Sequence, residues 1–178
     1  MRQIIYYVAS SLDGYIAGPN EDVSGYVGSG SGVDKYFEDL QHFDTVIMGK
    51  NTYEFGYKFG LKPGQKAYPH MKHFIFSNHL VLEKADPDVQ VKKMDIREVE
   101  NLRQKDGTDI YLCGGGQFAT WLLKNQQIDQ VKIKLNPLIL GGGIKLFEGL
   151  EETYTLELLG SEVYEKGLQI MSYRVIYK

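Results

Sequence analysis

The stretch FDTVIMGKNTYE, residues 43–54, decides the fold. Thr45-Val46-Ile47-Met48 is apolar or β-branched without alternation, the pattern of a strand buried on both faces of a sheet. Directly after it the chain turns small and polar, with Gly49, Lys50, Asn51 and Thr52. The same sequence of events recurs. HFIF (73–76) runs into Ser77 and Asn78, DIYLC (109–113) runs through Cys113 into Gly114, Gly115, Gly116 and Gln117, and QIIYYVA (3–9) ends on Ala9.

Between these runs lie helix patterns. Val33, Tyr36, Phe37 and Leu40 fall on one face at helical spacing. Asp95 and Glu98 form a capping-box pattern ahead of Ile96, Val99 and Leu102, with Gly107 as a stop signal, and Phe118, Trp121 and Leu122 repeat the helical spacing. Strands alternating with helices imply a largely parallel sheet covered on both faces. The end of the chain differs. QVKIKL (130–135), TYTLELL (153–159) and LQIMSYRVIY (168–177), the last two separated by Glu165-Lys166-Gly167, are expected as antiparallel strands at one sheet edge.

The 178 residues are ordinary for one globular domain, with no composition break that would mark a linker. A net charge of −3 argues against a nucleic-acid or anionic-membrane partner. The apolar run after Met1 is too short for a signal-peptide core and nothing approaches a membrane span, so a cytoplasmic location is expected. The single cysteine and four scattered histidines show no metal-ligand spacing.

In sheets of this kind ligands bind at the carboxyl ends of strands, where this chain places its glycines and small polar residues. Backbone N–H groups at a helix start, approached closely over glycine, favour phosphate, and Lys50, Thr52 and Ser77 add a charge and hydroxyl donors. Any one such glycine could merely turn the chain; three coincident sites favour a ligand with several phosphates. The segment 43–54 is not a P-loop, because Lys50 is followed by Asn51 and position 44 is Asp. Gly114 to Ala119 fits G-x-G-x-x-A, but the acidic ribose ligand expected some twenty residues on is replaced by Lys134-Leu135-Asn136.

VIMGKNTYE (46–54), FIFSN (74–78) and IYLCGGGQF (110–118), in this order, resemble the dihydrofolate reductase superfamily. ASSLDGYIAG (9–18) and IDQVKIKLNPLILGGGIKLF (128–147) resemble the reductase domain of bifunctional riboflavin-biosynthesis deaminase/reductases. The resemblance implies a three-layer α/β fold, mostly parallel with antiparallel C-terminal edge strands. It also implies NADPH-dependent hydride transfer to a C=N or C=O group of a small heterocyclic or sugar-derived substrate. Lys50 and Thr52, flanked by Gly49 and Asn51, would then contact the cofactor phosphates, with Ser77 and Asn78 near the 2′-phosphate. Gly114, Gly115, Gly116 and Gln117 would cradle the pyrophosphate, with Gly114 near the nicotinamide. Ala9 and Ile16 would line the nicotinamide pocket, and Cys113 joins this set. No H-x-E…P-C-x-x-C deaminase signature is present, so a reductase of this branch would stand alone. The alternative is a nucleotide-binding protein of the same fold without turnover.

For the proton that must accompany a hydride, Asp13 is the leading candidate, although Asp-Gly is also a common turn pair. Asp34 is the rival. A gapless count back from VIMG puts Val33 where dihydrofolate reductases carry a carboxylate, with Asp34 one residue later. Residues 24–34, rich in glycine and serine, are a surface loop or a lid. Tyr53, Phe55, Tyr57 and Phe59 could stack on a heterocycle or serve the core. A homodimer is expected, through the apolar, glycine-rich segment 136–147 and the late antiparallel strands.

Overall fold

The computed structural model describes residues 1–178. Its strands are β1 (Ile4–Ser10), β2 (Tyr15–Ala17), β3 (Thr45–Gly49), β4 (Lys72–Phe76), β5 (Val89–Lys92), β6 (Ile110–Gly114), β7 (Gln130–Leu135), β8 (Ile144–Lys145), β9 (Thr155–Val163) and β10 (Gln169–Ile176). The helices are α1 (Ser31–Leu40), α2 (Lys50–Phe55), α3 (Ile96–Arg103) and α4 (Gly116–Lys124). Eight strands form one sheet in the order β5-β4-β3-β6-β1-β7-β10-β9, and β2 pairs with β8 in a separate two-stranded arm.

The unbroken apolar strands sit in the middle of that sheet because they have two faces to bury. On one face Ile4, Tyr6, Ile47 and Leu112 pack with Val99 and Leu102 of α3 and Phe118 and Leu122 of α4. On the other, Tyr7, Val46, Met48 and Tyr111 pack with Val33 and Leu40 of α1 and Tyr53 of α2. The result is the three-layer α/β arrangement, with β10 and β9 as the antiparallel edge.

Several sequence expectations need correction. QVKIKL is not antiparallel to its inner neighbour: β7 pairs parallel with β1 and antiparallel only with β10. Its alternation does not mark a wet face. Lys132 pairs with Asp39 and lies 4.6 Å from the Tyr7 ring centroid, while buried Lys134 lies 4.4 Å from that of Tyr36. The lysine stems thus cover aromatic surface under α1. On α1 itself Phe37 is 56% exposed, and buried Asp39 takes a place on the inner side, held by Lys132 and Lys35. Asp95 caps α3 by accepting from Arg97 N, but Glu98 does not close the box and pairs with Lys92 instead.

Segment 136–147 is packed on its own domain in part, while Ile139 is 70% exposed. Leu138 accounts for the close approach at Gly25, Ile144 pairs with Ala17, and Leu146 accepts a hydrogen bond from the Tyr6 hydroxyl at 3.0 Å. The loop ahead of α1 is likewise tied down. Asn136 Oδ1 accepts from Val27 N, Glu165 Oε2 from Ser31 N, and Lys166 Nζ donates to Ser29 Oγ. No helix is long and apolar enough to cross a membrane.

Candidate active site

The carboxyl ends of β1, β3, β4 and β6 open on one cavity of about 620 Å³. Ala9, Ile16 and Ala17 form one part of its wall, Gly49 through Thr52 another, and Ser77, Asn78 and His79 a third. Cys113, Gly115, Gly116 and Gln117 close it at the β6–α4 junction. The strand ends that share a sequence pattern therefore share a site, because their strands are neighbours in the sheet.

At this junction Gly115 is the extended N-cap of α4 and makes no side-chain cap, which leaves the first-turn N–H groups without an internal acceptor. The positive end of the helix dipole adds to their pull on an anion. Lys50 is partly exposed nearby, with Nζ only loosely paired to Glu54 at 3.8 Å. The glycines here do different work. A Cβ on Gly116 would lie 2.2 Å from the Lys145 carbonyl oxygen, so that glycine lets α4 pack against β8. A Cβ on Gly115 would stand 2.9 Å from Thr52 Oγ1, and its absence opens the wall between the two helix starts.

Gly114 does not line the cavity. It is buried behind the wall against Tyr6 and Thr52, with a φ of +134° and a cis peptide bond to Gly115. Ser77 and Asn78 do line it, but their oxygens are engaged: Ser77 Oγ accepts from His79 N and Leu80 N, and Asn78 Oδ1 from Met94 N. They shape the turn after β4 and leave the Asn78 amide nitrogen as a donor.

Neither carboxylate expected to handle a proton reaches the cavity. Asp13 is exposed and faces the 136–143 segment, where it accepts from Ser11 Oγ at 2.7 Å and from the N–H groups of Leu140 and Gly141. The Ser11 hydroxyl and these backbone donors hold it at about 2, so it is a carboxylate at neutral pH with no proton to give. Asp34 is exposed on α1, and Val33 is buried in the core beside Leu168 and Ile170. The α1 side chain on the cavity wall is Tyr36.

Tyr36 belongs to a group of which the sequence reading placed only Cys113 at the site. Its hydroxyl shares a 2.7 Å hydrogen bond with that of Tyr111, the Tyr68 hydroxyl lies 3.4 Å from Cys113 Sγ, and the Tyr7 and Tyr36 ring centroids are 4.9 Å apart. All five residues line the cavity. Burial raises the phenols of Tyr36, Tyr68 and Tyr111, so each keeps its proton through the neutral range. Tyr111 alternates with Ile110 and Leu112 along β6, which was the one available signal that it faces the α1 layer. Of the aromatic run after β3, Tyr53 and Phe55 line the cavity and Phe59 is exposed.

Among known proteins, the chain is 27% identical over 172 residues, 95% of its own length and 96% of the relative's, to YwjB of Bacillus subtilis (strain 168), whose function is uncharacterised. It superposes with a TM-score of 0.81 on a protein of Shewanella sp. PV-4 described as a candidate riboflavin biosynthesis protein. That match is 26% identical and covers 99% of this chain and 100% of the other. Dihydrofolate reductase of Enterococcus faecalis, solved with NADP(H), shares the fold with a TM-score of 0.68 at 14% identity, over 98% of this chain and 97% of that one. A family match from residue 2 to residue 170, spanning every strand end that lines the cavity, makes the chain a member of the RibD C-terminal domain family.

Proposed function

We propose that the protein is an NADPH-dependent reductase acting on a C=N or C=O group of a small heterocyclic or sugar-derived molecule, of the riboflavin-type ribosylamino-pyrimidine or pterin class. The observation that carries this reading is the combination, on one wall, of the uncapped α4 start and Lys50, continuous with an apolar and phenolic recess. This donor set fits a dinucleotide with several phosphates, and the fold is that of a reductase solved with NADP(H). When bound, the cofactor supplies the hydride chemistry. The chain's own residues bind and orient: the first turn of α4 and Lys50 take phosphate, Ala9 and Ile16 border the ring, and Val23 and Leu61 add apolar wall. NADPH oxidation assayed separately with dihydrofolate and with 5-amino-6-(5-phosphoribosylamino)uracil tests the activity.

One observation favours the second reading, nucleotide binding without turnover. The only carboxylates on the cavity wall are Glu21, paired with Lys58, and Glu148. Tight NADPH binding with no oxidation in either assay would select it.

Lys50 is expected to favour NADPH over NADH. A charge-assisted phosphate contact contributes about 1.5–3 kcal/mol, so Lys50→Ala should weaken NADPH roughly tenfold to a hundredfold and NADH less. Fluorescence titration of both cofactors checks this, and equal affinities, or an unchanged preference in Lys50→Ala, would sink the assignment.

A homodimer is also proposed, through the late antiparallel strands together with segment 136–147. All nine residues of the edge strand β9 are exposed, including Leu158 at 58% and Val163 at 75%. An apolar edge of this length is a template for pairing unless it is covered. Light scattering should return twice the 20.2 kDa chain mass, and Leu158→Lys should shift it toward the monomer.

A further inference from the structure

A hydride delivered to a C=N or C=O carbon must be matched by a proton on the nitrogen or oxygen, and few groups on the cavity wall can give one. Glu21 is paired with Lys58, and Glu148 stands beside Gly116 at the start of α4, among the phosphate donors. Lys50 and His79 lie at the ends of β3 and β4. The Tyr7 hydroxyl donates to Asp39 and the Tyr53 hydroxyl to the Gln65 carbonyl, so both are engaged. The surroundings of Tyr36, by contrast, prepare for loss of its proton. Tyr111, only 1% exposed, is the more buried partner of the 2.7 Å hydroxyl pair and places its hydrogen on the Tyr36 oxygen. Burial raises the Tyr36 phenol, and the bonds donated by Tyr111 and Tyr68 pull it back. Burial also raises Tyr111, and there the bond to Tyr36 adds to the rise. Of this linked pair, Tyr36 parts with a proton more readily.

Lys134 supplies the second half of the arrangement. It stands on β7 beside Ala9 of β1, the residue at the ring border, and its ammonium lies 4.4 Å from the Tyr36 ring centroid. The residue is 9% exposed, and burial lowers its pKa with no carboxylate nearby to oppose the change. An ammonium held out of water without a counter-ion is costly, and an anion forming next to it offsets that cost. A phenolate, which spreads its charge into the ring, is such an anion, and it exists only once Tyr36 has given up its proton. The attraction is therefore stronger in the transition state than in the ground state, which is what accelerates a reaction.

Resting on the reductase reading, we propose that Tyr36 is the proton donor of the reaction and that Lys134, as a positioning residue, stabilises the phenolate left behind. As hydride reaches the substrate carbon, the π electrons of the C=N or C=O bond move onto the heteroatom. That atom bonds to the Tyr36 hydrogen while the Tyr36 O–H bond breaks. A developing alkoxide or nitrogen anion is a stronger base than a phenolate, so even a buried phenol transfers its proton downhill. After product release the phenolate takes a proton from water, and the substrate has gained one hydride and one proton.

Single-turnover NADPH oxidation in H₂O and in D₂O tests this, with dihydrofolate and 5-amino-6-(5-phosphoribosylamino)uracil as probes. Wild type should turn over at least one of them, and more slowly in D₂O. Tyr36→Phe keeps the ring and its packing; it should lose roughly 10²-fold or more in rate, and the D₂O slowing with it, while NADP⁺ affinity stays unchanged. Lys134→Met should be roughly tenfold slower or more, and Lys134→Arg should recover most of that loss. A packing role alone would not give that recovery, because methionine covers the Tyr36 ring too. A Tyr36→Phe rate less than about tenfold below wild type overturns the proposal. So does a wild-type rate indifferent to D₂O, a measurement that needs no variant. Lys134→Arg as slow as Lys134→Met overturns the part given to Lys134. No oxidation of either probe by wild-type protein that binds NADP⁺ removes the reductase reading itself, and this proposal with it.

Discussion

Replacing Arg103 by methionine should destabilise the protein by about 1.5–3 kcal/mol, the range for losing a hydrogen bond to a charged group, since Arg103 is buried while its partner Asp129 stays 31% exposed. Arg103 ends α3 with its side chain buried, and its Nη2 donates to both oxygens of Asp129 at 2.9 and 2.8 Å. Nη1 donates to Gln127 Oε1 at 3.1 Å and Nε to the Arg2 carbonyl at 3.1 Å. Asp129 in turn accepts from Ile4 N at 2.7 Å. One guanidinium thus ties the end of α3 to the entries of β1 and β7, two neighbouring strands of the main sheet. Without it the Asp129 carboxylate keeps only the Ile4 amide as a partner. Urea midpoints measure the loss, and the double variant Arg103→Met, Asp129→Leu should recover part of it because no unpaired charge remains. A loss below about 1 kcal/mol would show that water takes over the pairing.

Acid should remove about 3 kcal/mol of stability between pH 6.5 and pH 4 through His73 alone. The ring is fully buried, and burial pushes its pKa down to about 4 from 6.5. The unfolded chain therefore takes up a proton at a pH where the folded chain does not. The histidine's contribution is fully present above pH 6.5 and is lost as pH falls toward 4. The geometry requires the neutral ring: Nδ1 donates to the Met71 carbonyl at 3.1 Å, while Nε2 accepts from the N–H groups of Ala67 and Tyr68. Protonation would turn that acceptor into a donor facing two donors. Unfolding free energies across the window should fall steeply for wild type and much less for His73→Gln. Because one of the two amides belongs to Tyr68, the same titration should loosen a wall of the phenolic recess.

The sequence made visible what depends on two-sided burial. TVIM, HFIF and DIYLC could be read as inner strands because unbroken apolar runs have two faces to bury, and the glycines and small polar residues after them marked the end of the sheet where the cavity opens. Short elements were not visible: β5 has four residues and β8 two, too few for a period to show. The alternating lysines of β7 gave a surface signal because charge in the sequence does not reveal that the stems lie over Tyr7 and Tyr36. Asp13 offered two meanings, and only the donors at Leu140 and Gly141, more than 120 residues away, decide for the turn. The phenols of the recess escaped notice for a related reason. Tyrosine on a buried strand or helix face looks like core until tertiary placement shows its hydroxyl at an opening.

The place of β1 in the strand order also shapes how the chain is made. Its neighbours are β6 and β7, which begin at residues 110 and 130, whereas β3, β4 and β5 lie beside one another both in the sheet and along the chain. During synthesis the three short-range strands can assemble early, while Ile4–Ser10, apolar on both faces, waits for more than a hundred residues to emerge. The nascent chain therefore carries this apolar segment unpaired until β6 has emerged. Chaperone capture should centre on Ile4–Ser10 and end once β6 and β7 have left the ribosome.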